Sequence, residues 1–207
     1  MTVWVEYSEI ATVMKSIGAK QIKRPKGPDA YTVPVVSDPN TGALITDSIE
    51  IASYLEKTYP EKPIFPHNSE VLIRAFDNAV IGLIMPAVKF LIGRSAEILS
   101  PDSAKFYMDV RSKEFKLPWD EFVSEGAKRQ MEEVLEKGYN TMYEWYQKSH
   151  GKWIMGDTFS YADILVACYL LWYKRVMKED EWAWIDSLNG GKWAQVLADV
   201  EKECNLA

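Results

Sequence analysis

The chain reads as an α+β protein in two parts: a small strand-bearing part over residues 1–66 and an all-helical part over residues 67–207. Three observations predict this. The pattern changes near residue 66, from short β-branched runs punctuated by turns to long stretches of helical periodicity. A proline-rich segment, EKPIFPHN, falls at the change. The 207 residues are enough for two domains with cores of their own, and 47% hydrophobic with 26% charged residues is ordinary for a globular chain.

The elements follow in order. TVWVEY, Thr2 to Tyr7, has strand composition. SEIATVMKSIGA reads as a helix with Ser8 as N-cap and Gly18 near its end. YTVPVV is a second strand, although Pro34 lies inside it and proline cannot donate to a strand ladder. A cis Val33–Pro34 bond resolves the conflict, because cis X-Pro costs little relative to other cis peptides. Val33 then offers its N–H and C=O as a short edge for an extended peptide. SDPNTG, Ser37 to Gly42, is a hairpin turn by chemistry: Pro39 presets φ, while Asn40 and Gly42 tolerate positive φ. ALIT is the third strand. SIEIASYLEKTYP places Ile49, Ala52, Tyr54 and Leu55 near helical spacing and stops at Pro60.

Past the linker, Leu72, Ala75, Phe76, Ala79, Val80, Leu83 and Ala87 form one helical stripe, which Pro86 should kink. A later helix carries Met131, Val134, Leu135, Met142, Trp145 and Tyr146 on one face. In GDTFSYADILVACYLLW, Ser160 and Asp163 have capping-box spacing, and Phe159 with Ile164 fits a hydrophobic staple. The apolar run Ile164 to Trp172 predicts a centrally buried helix, with Cys168 as an inert core thiol. Seven of the eight tryptophans follow residue 118, and most are expected to anchor packing in a bundle of five or six helices.

Composition excludes several classes. A net charge of -6 argues against a nucleic-acid partner. The basic run KQIKRPKG, Lys20 to Gly27, reads as a solvated loop. Cys168 and Cys204 have no metal spacing and imply no disulfide framework, which suits a reducing compartment. The N-terminus has no signal-peptide pattern. The most apolar segment, Ala79 to Ile92, contains Lys89 and falls short of the ~20 residues that span a bilayer. A cytoplasmic protein with no membrane partner is expected. His67 and His150 are solitary and read as surface residues, so no metal site and no Ser-His-Asp triad is expected.

In TDSIE, Asp47 and Ser48 open a helix with Glu50 at N3. A plain N-cap is the ordinary reading. The same physics also serves a ligand: a helix N-terminus with a hydroxyl binds a carboxylate, and a neighbouring Asp takes an ammonium. A γ-glutamyl group carries both charges on one carbon.

TVPVV followed by TDSIEIASYLEKTYP and then GDTFSYADILVA resembles the cytosolic glutathione transferase superfamily over nearly the whole chain. VEYSEI, YTVPVVSDPNTG and DSIEIASYLEKTYP are most similar to the fungal group related to bacterial β-etherases. Similar proteins also occur in fungal secondary-metabolite gene clusters. The resemblance implies a truncated thioredoxin-like domain followed by the all-α glutathione-transferase domain. It implies glutathione as co-substrate, with Val33, beside cis Pro34, pairing with the cysteinyl backbone, and Asp47 and Ser48 holding the γ-glutamyl end. Lys20, Lys23, Arg24 and Lys26 are all eligible for the glycine carboxylate. A hydrophobic small molecule and homodimer pairing are the other implied partners, and Met85, Phe90 and Trp119 are candidates for the hydrophobic site.

The family fold has strand–helix–strand–helix before the cis-proline strand, and only Thr2 to about Gly18 supplies such a unit here. The 27 residues from Tyr7 to Pro34 suit the second unit, so the chain is expected to start there. The turn after the first strand carries the usual catalytic Tyr, Ser or Cys, and that residue is unassigned here. Either Thr2 to Tyr7 slides into the gap, with Tyr7 or Ser8 as stand-in, or the sheet edge stays open. The expected function is conjugation or reductive cleavage of a hydrophobic or aromatic electrophile by thiolate attack, in detoxification or secondary metabolism. The alternative is a non-catalytic carrier (ligandin) or regulatory subunit with the same fold.

Overall fold

A computed structural model of the chain describes residues 1–23 and 28–205. Its contacts gather into two compact units, Met1–Ile64 with Leu99–Asp109, and Phe65–Ile98 with Val110–Ala207.

In the first unit, a short helix α1 (Ile10–Ser16) is followed by a lone bridge between Ile22 and Ala30. Then come β1 (Val35–Asp38), β2 (Ala43–Thr46) and α2 (Ser48–Thr58). The strands are antiparallel, with Val35 opposite Thr46 and Asp38 opposite Ala43. Tyr31 to Pro34 lie outside β1, so the expected strand is shortened at its proline end. A larger correction concerns Thr2 to Tyr7, which form no strand. Strand composition needs a partner ladder, and among the described residues this segment has none. Trp4 is 87% exposed.

Among the described residues the segment is anchored at its end, as a 3₁₀ turn (Tyr7–Glu9) against the start of α5 (Pro101–Phe115). The Glu6 carboxylate accepts hydrogen bonds from Ser103 Oγ at 2.6 Å and Ser100 Oγ at 2.7 Å. These bonds lower its pKa. A carboxylate at a helix N-terminus is favoured by the helix dipole. Ser8 is therefore not a helix cap. Its N–H and hydroxyl face Ser103 Oγ at 3.4 and 3.3 Å.

The hairpin is clamped at its turn. Asp38 is buried and accepts from Tyr54 OH at 2.5 Å, Tyr59 OH at 2.6 Å and the Asn40 N–H at 2.9 Å. The two tyrosine hydroxyls hold its carboxyl at about 2, below the usual carboxylate range. A folded-state pKa below the unfolded value of about 3.9 means that the stabilisation is complete above that pH. It is lost as pH falls towards 2. Amide protection of the hairpin, corrected for intrinsic exchange, should therefore fall between about pH 4 and 2. In Asp38→Asn that slope should vanish; equal slopes in both proteins would refute the clamp.

The second unit is helical: α3 (Glu70–Ile84), α4 (Val88–Ala96), the end of α5, α6 (Glu125–Lys148), α7 (Tyr161–Val176), α8 (Glu179–Ser187) and α9 (Lys192–Glu203). From α3 onward that is seven helices among the described residues, against the five or six expected. Pro86 divides the first apolar run through a 3₁₀ turn (Met85–Ala87), and Asn189 to Gly191 divide α8 from α9. The polar sequence of α5 has no clear apolar stripe and does not announce a helix. Together, α3 and α4 make a run (Glu70–Ala96) of 27 residues, long and apolar enough to cross a membrane by length and composition. Ile73, Val80, Ile84, Phe90 and Leu91 in this run are buried in the unit.

That core face differs from the expected stripe. Val80 and Ala87 are buried, but Leu72 is 74% exposed, and Ala75 and Ala79 are exposed. The core is completed by Met131, Leu135, Tyr139 and Met142 of α6, Val166, Leu170 and Tyr173 of α7, and Trp193, Val196 and Leu197 of α9. The capping box of α7 forms, with the Ser160 N–H donating to Asp163 Oδ2 at 3.1 Å. Cys168 lies on the exposed side of that helix and is not a core thiol.

Candidate functional site

The open end of the hairpin gathers the predicted residues. The register pairs Val35 with Thr46. The ladder ends at that pair, so Val33–Pro34 on one limb and Asp47–Ser48 on the other are the residues that flank it in sequence. The Val33–Pro34 peptide is cis, as the sequence implies. Val33 is 48% exposed, and its N–H and C=O make no backbone hydrogen bond among the described residues. A backbone pair left open at a chain edge can receive an extended ligand.

On the other limb, α2 begins directly after β2. Asp47 is its N-cap: its C=O accepts from the Ile51 N–H at 2.9 Å, and its Oδ1 accepts from the Ile49 N–H at 3.1 Å. Oδ2 accepts nothing among the described residues. Ser48 is exposed, and neither its N–H nor its hydroxyl has a partner among them. One cap residue thus presents a free carboxylate oxygen beside a helix-end N–H and a hydroxyl. That set matches a zwitterionic head group: Asp47 for an ammonium, Ser48 and the helix end for a carboxylate.

One feature of the site is not legible in the residue types. Asp47 has φ 82° and ψ 130°, in a region that side chains other than glycine rarely enter. Such a backbone costs on the order of 1–3 kcal/mol and concentrates at ligand clamps. It turns the chain from β2 into α2 so that the carboxylate and the first helical N–H groups face the same end.

Of the basic candidates, Lys20 and Lys23 are exposed. Lys23 directly follows the Ile22–Ala30 bridge, whose other limb reaches Val33 three residues on. Arg24 and Lys26, with the second half of the predicted solvated loop, lie outside the described residues. Tyr7 and Ser8 are not brought to this end. The Tyr7 ring meets Tyr107 edge-on, with centroids 4.7 Å apart, and Ser8 is held at Ser103. Phe90 is fully buried in the helical core and unavailable to line a cleft. Met85 is exposed, and Trp119 stacks on Phe122 at 4.8 Å. Among the described residues no group of His, Cys, Asp and Glu is arranged to hold a metal.

Residues 71–202 match the family model for the glutathione S-transferase C-terminal domain. A glutathione S-transferase-like protein of Aspergillus flavus, ustS, is 25% identical, covering 90% of this chain and 72% of its own. The crystal structure of a glutathione S-transferase of Ceriporiopsis subvermispora, in complex with glutathione, is 34% identical with a TM-score of 0.89. That match covers 98% of this chain and 83% of the other. Glutathione transferase GSTFuA2 from Phanerochaete chrysosporium is 33% identical with a TM-score of 0.83, over 98% of this chain and 83% of its own.

Proposed function

The chain belongs to the cytosolic glutathione transferase superfamily, with a two-stranded thioredoxin-like part and an all-α domain, and on that premise we propose that it binds glutathione at Val33, Pro34, Asp47 and Ser48. The observation that carries the reading is the convergence at one hairpin end of an open Val33 backbone, an unshared Asp47 carboxylate oxygen and an unpartnered Ser48. The residues fit the molecule. Asp47 takes the γ-glutamyl ammonium, Ser48 and the α2 N-terminus take its carboxylate, and Val33 takes the cysteinyl backbone. Lys20, Lys23, Arg24 and Lys26 are the candidates for the glycine carboxylate.

Glutathione, when bound, supplies a thiol nucleophile. The activity we propose is conjugation or reductive cleavage of a hydrophobic or aromatic electrophile, in detoxification or secondary metabolism. The protein's share is orientation of the tripeptide by fixed donors and acceptors. A cytoplasmic homodimer is part of the same reading, supported by the exposed apolar Val71 and Leu72 on α3. One observation favours a second reading, a non-catalytic carrier of aromatic ligands. Tyr7 and Ser8, the residues considered as catalytic stand-ins, are engaged with Tyr107 and Ser103.

Turnover of a generic aryl halide separates the two. Loss of a hydrogen bond to a charged group costs about 1.5–3 kcal/mol, or roughly 10- to 100-fold. Ser48→Ala should therefore lower kcat/KM for glutathione conjugation by at least about tenfold. Tight binding of aromatic dyes with no turnover in the parent chain would establish the carrier.

A further inference from the structure

The helical unit contains a cavity of about 650 Å³ that the glutathione reading does not use. It lies between the end of α6, the turn from α8 and the first residues of α9. The local sequence builds it. Asn189, Gly190 and Gly191 take φ of 52°, 69° and 82°, a left-handed run that Asn and Gly tolerate and that reverses the chain into α9. Asn189 is fixed on both sides: its Nδ2 donates to Asn140 Oδ1 at 2.7 Å, and Trp193 Nε1 donates to its Oδ1 at 2.8 Å. Two glycines leave backbone, not side chains, on that wall.

Lys192 is the charge in this cavity. Its ammonium sits 4.7 Å from the centre of the Tyr146 ring. That ring is buried and held by its hydroxyl, which donates to Asp163 Oδ1 at 3.0 Å. Lys192 is half-buried and makes no ion pair or hydrogen bond among the described residues. The nearby Asp199 carboxylate is 3.2 Å from Lys152, which shares its charge. Burial pulls the Lys192 ammonium below its ordinary pKa, against the charges of Asp199 and Asp163. No carboxylate lines the cavity among the described residues, while Gln147, Gln195 and His150 all do. A half-buried cation with donors around it and, among the described residues, no carboxylate in direct contact has an incomplete electrostatic environment.

We propose that this cavity binds a small molecule bearing an oxyanion, a phosphate or a carboxylate, with Lys192 as counter-ion and Gln147, Gln195 and His150 as donors. The volume lies within the range of about 300–1,000 Å³ typical of small-ligand sites. The cation on the Tyr146 face fixes where the anionic group sits, and the open side accepts the rest of the molecule. The site does not depend on glutathione binding at the hairpin.

The test is an NMR titration of the ¹⁵N-labelled full chain with inorganic phosphate and, separately, acetate, at ionic strength held constant with chloride. The amides of Gly190, Gly191 and Gln195 should shift saturably with at least one of the two, and the tighter one identifies the head group. Lys192→Gln should weaken that binding at least fivefold. Gln195→Glu, which places a negative charge on the wall at nearly constant shape, should do the same. Both variants should keep the parent melting temperature. Shifts no larger than in chloride for both anions, or affinity in Lys192→Gln and Gln195→Glu unchanged from the parent chain, would overturn the proposal.

Discussion

Asp163→Ala is expected to remove about 4 kcal/mol of stability from the helical unit, read from equilibrium denaturant unfolding. The Asp163 carboxylate is fully buried and gathers four donors. The Ile154 N–H lies at 2.9 Å, the Tyr146 hydroxyl at 3.0 Å, the Ser160 N–H at 3.1 Å and the Ser160 hydroxyl at 3.2 Å. Loss of the cap costs about 1 kcal/mol. Leaving the Ile154 N–H and the Tyr146 hydroxyl without an acceptor adds roughly 1–3 kcal/mol each. Asp163→Asn keeps one carbonyl oxygen and should cost less. A loss under about 1 kcal/mol in the alanine variant would show that the network is not what fixes the start of α7.

The second large effect is expected at Glu181. Its side chain is 2% exposed and faces Arg94, itself 11% exposed, with Nη2–Oε1 at 2.5 Å and Nε–Oε2 at 3.2 Å. Oε2 also accepts the Lys178 N–H at 2.9 Å, so the same carboxylate starts α8. Breaking a buried pair from one side costs about 3–5 kcal/mol, because the remaining charge stays buried. Arg94 keeps Glu97 at 2.8 Å and the Phe90 ring at 4.9 Å, which places Glu181→Ala near the low end, about 3 kcal/mol. The double variant Arg94→Met with Glu181→Leu should recover most of that loss, since apolar replacement of a buried pair is often neutral. A double variant as unstable as the single one would locate the effect in packing.

What the sequence made legible is what local chemistry decides. The hairpin turn, the Asp47 cap, the kink at Pro86 and the capping box at Ser160 all rest on residues whose backbone preferences act within a few positions. Tertiary choice decided the rest. Thr2 to Tyr7 has strand composition, but β propensity is a preference for a paired, half-buried surface. In α3, the adjacent apolar residues Val71, Leu72 and Ile73 leave the helix phase open, and the fold buries Ile73. The run around Cys168 likewise carries no phase; Val166, Leu170 and Tyr173 face the core and leave Cys168 outside. At the candidate site, the residue types of Asp47 and Ser48 are readable, but the positive φ of Asp47 is not. Lys192 looks in sequence like any surface lysine, and only the Tyr146 ring and the left-handed turn place it in a cavity.

The central claim is that the hairpin end is a glutathione site. Its most direct test is calorimetric titration of glutathione into the 207-residue chain, with Ser48→Ala alongside. The expected result is micromolar to low-millimolar binding that weakens by at least about tenfold in Ser48→Ala. No binding heat in a chain whose helical unit is folded by circular dichroism, or equal affinity in the two proteins, would contradict the assignment.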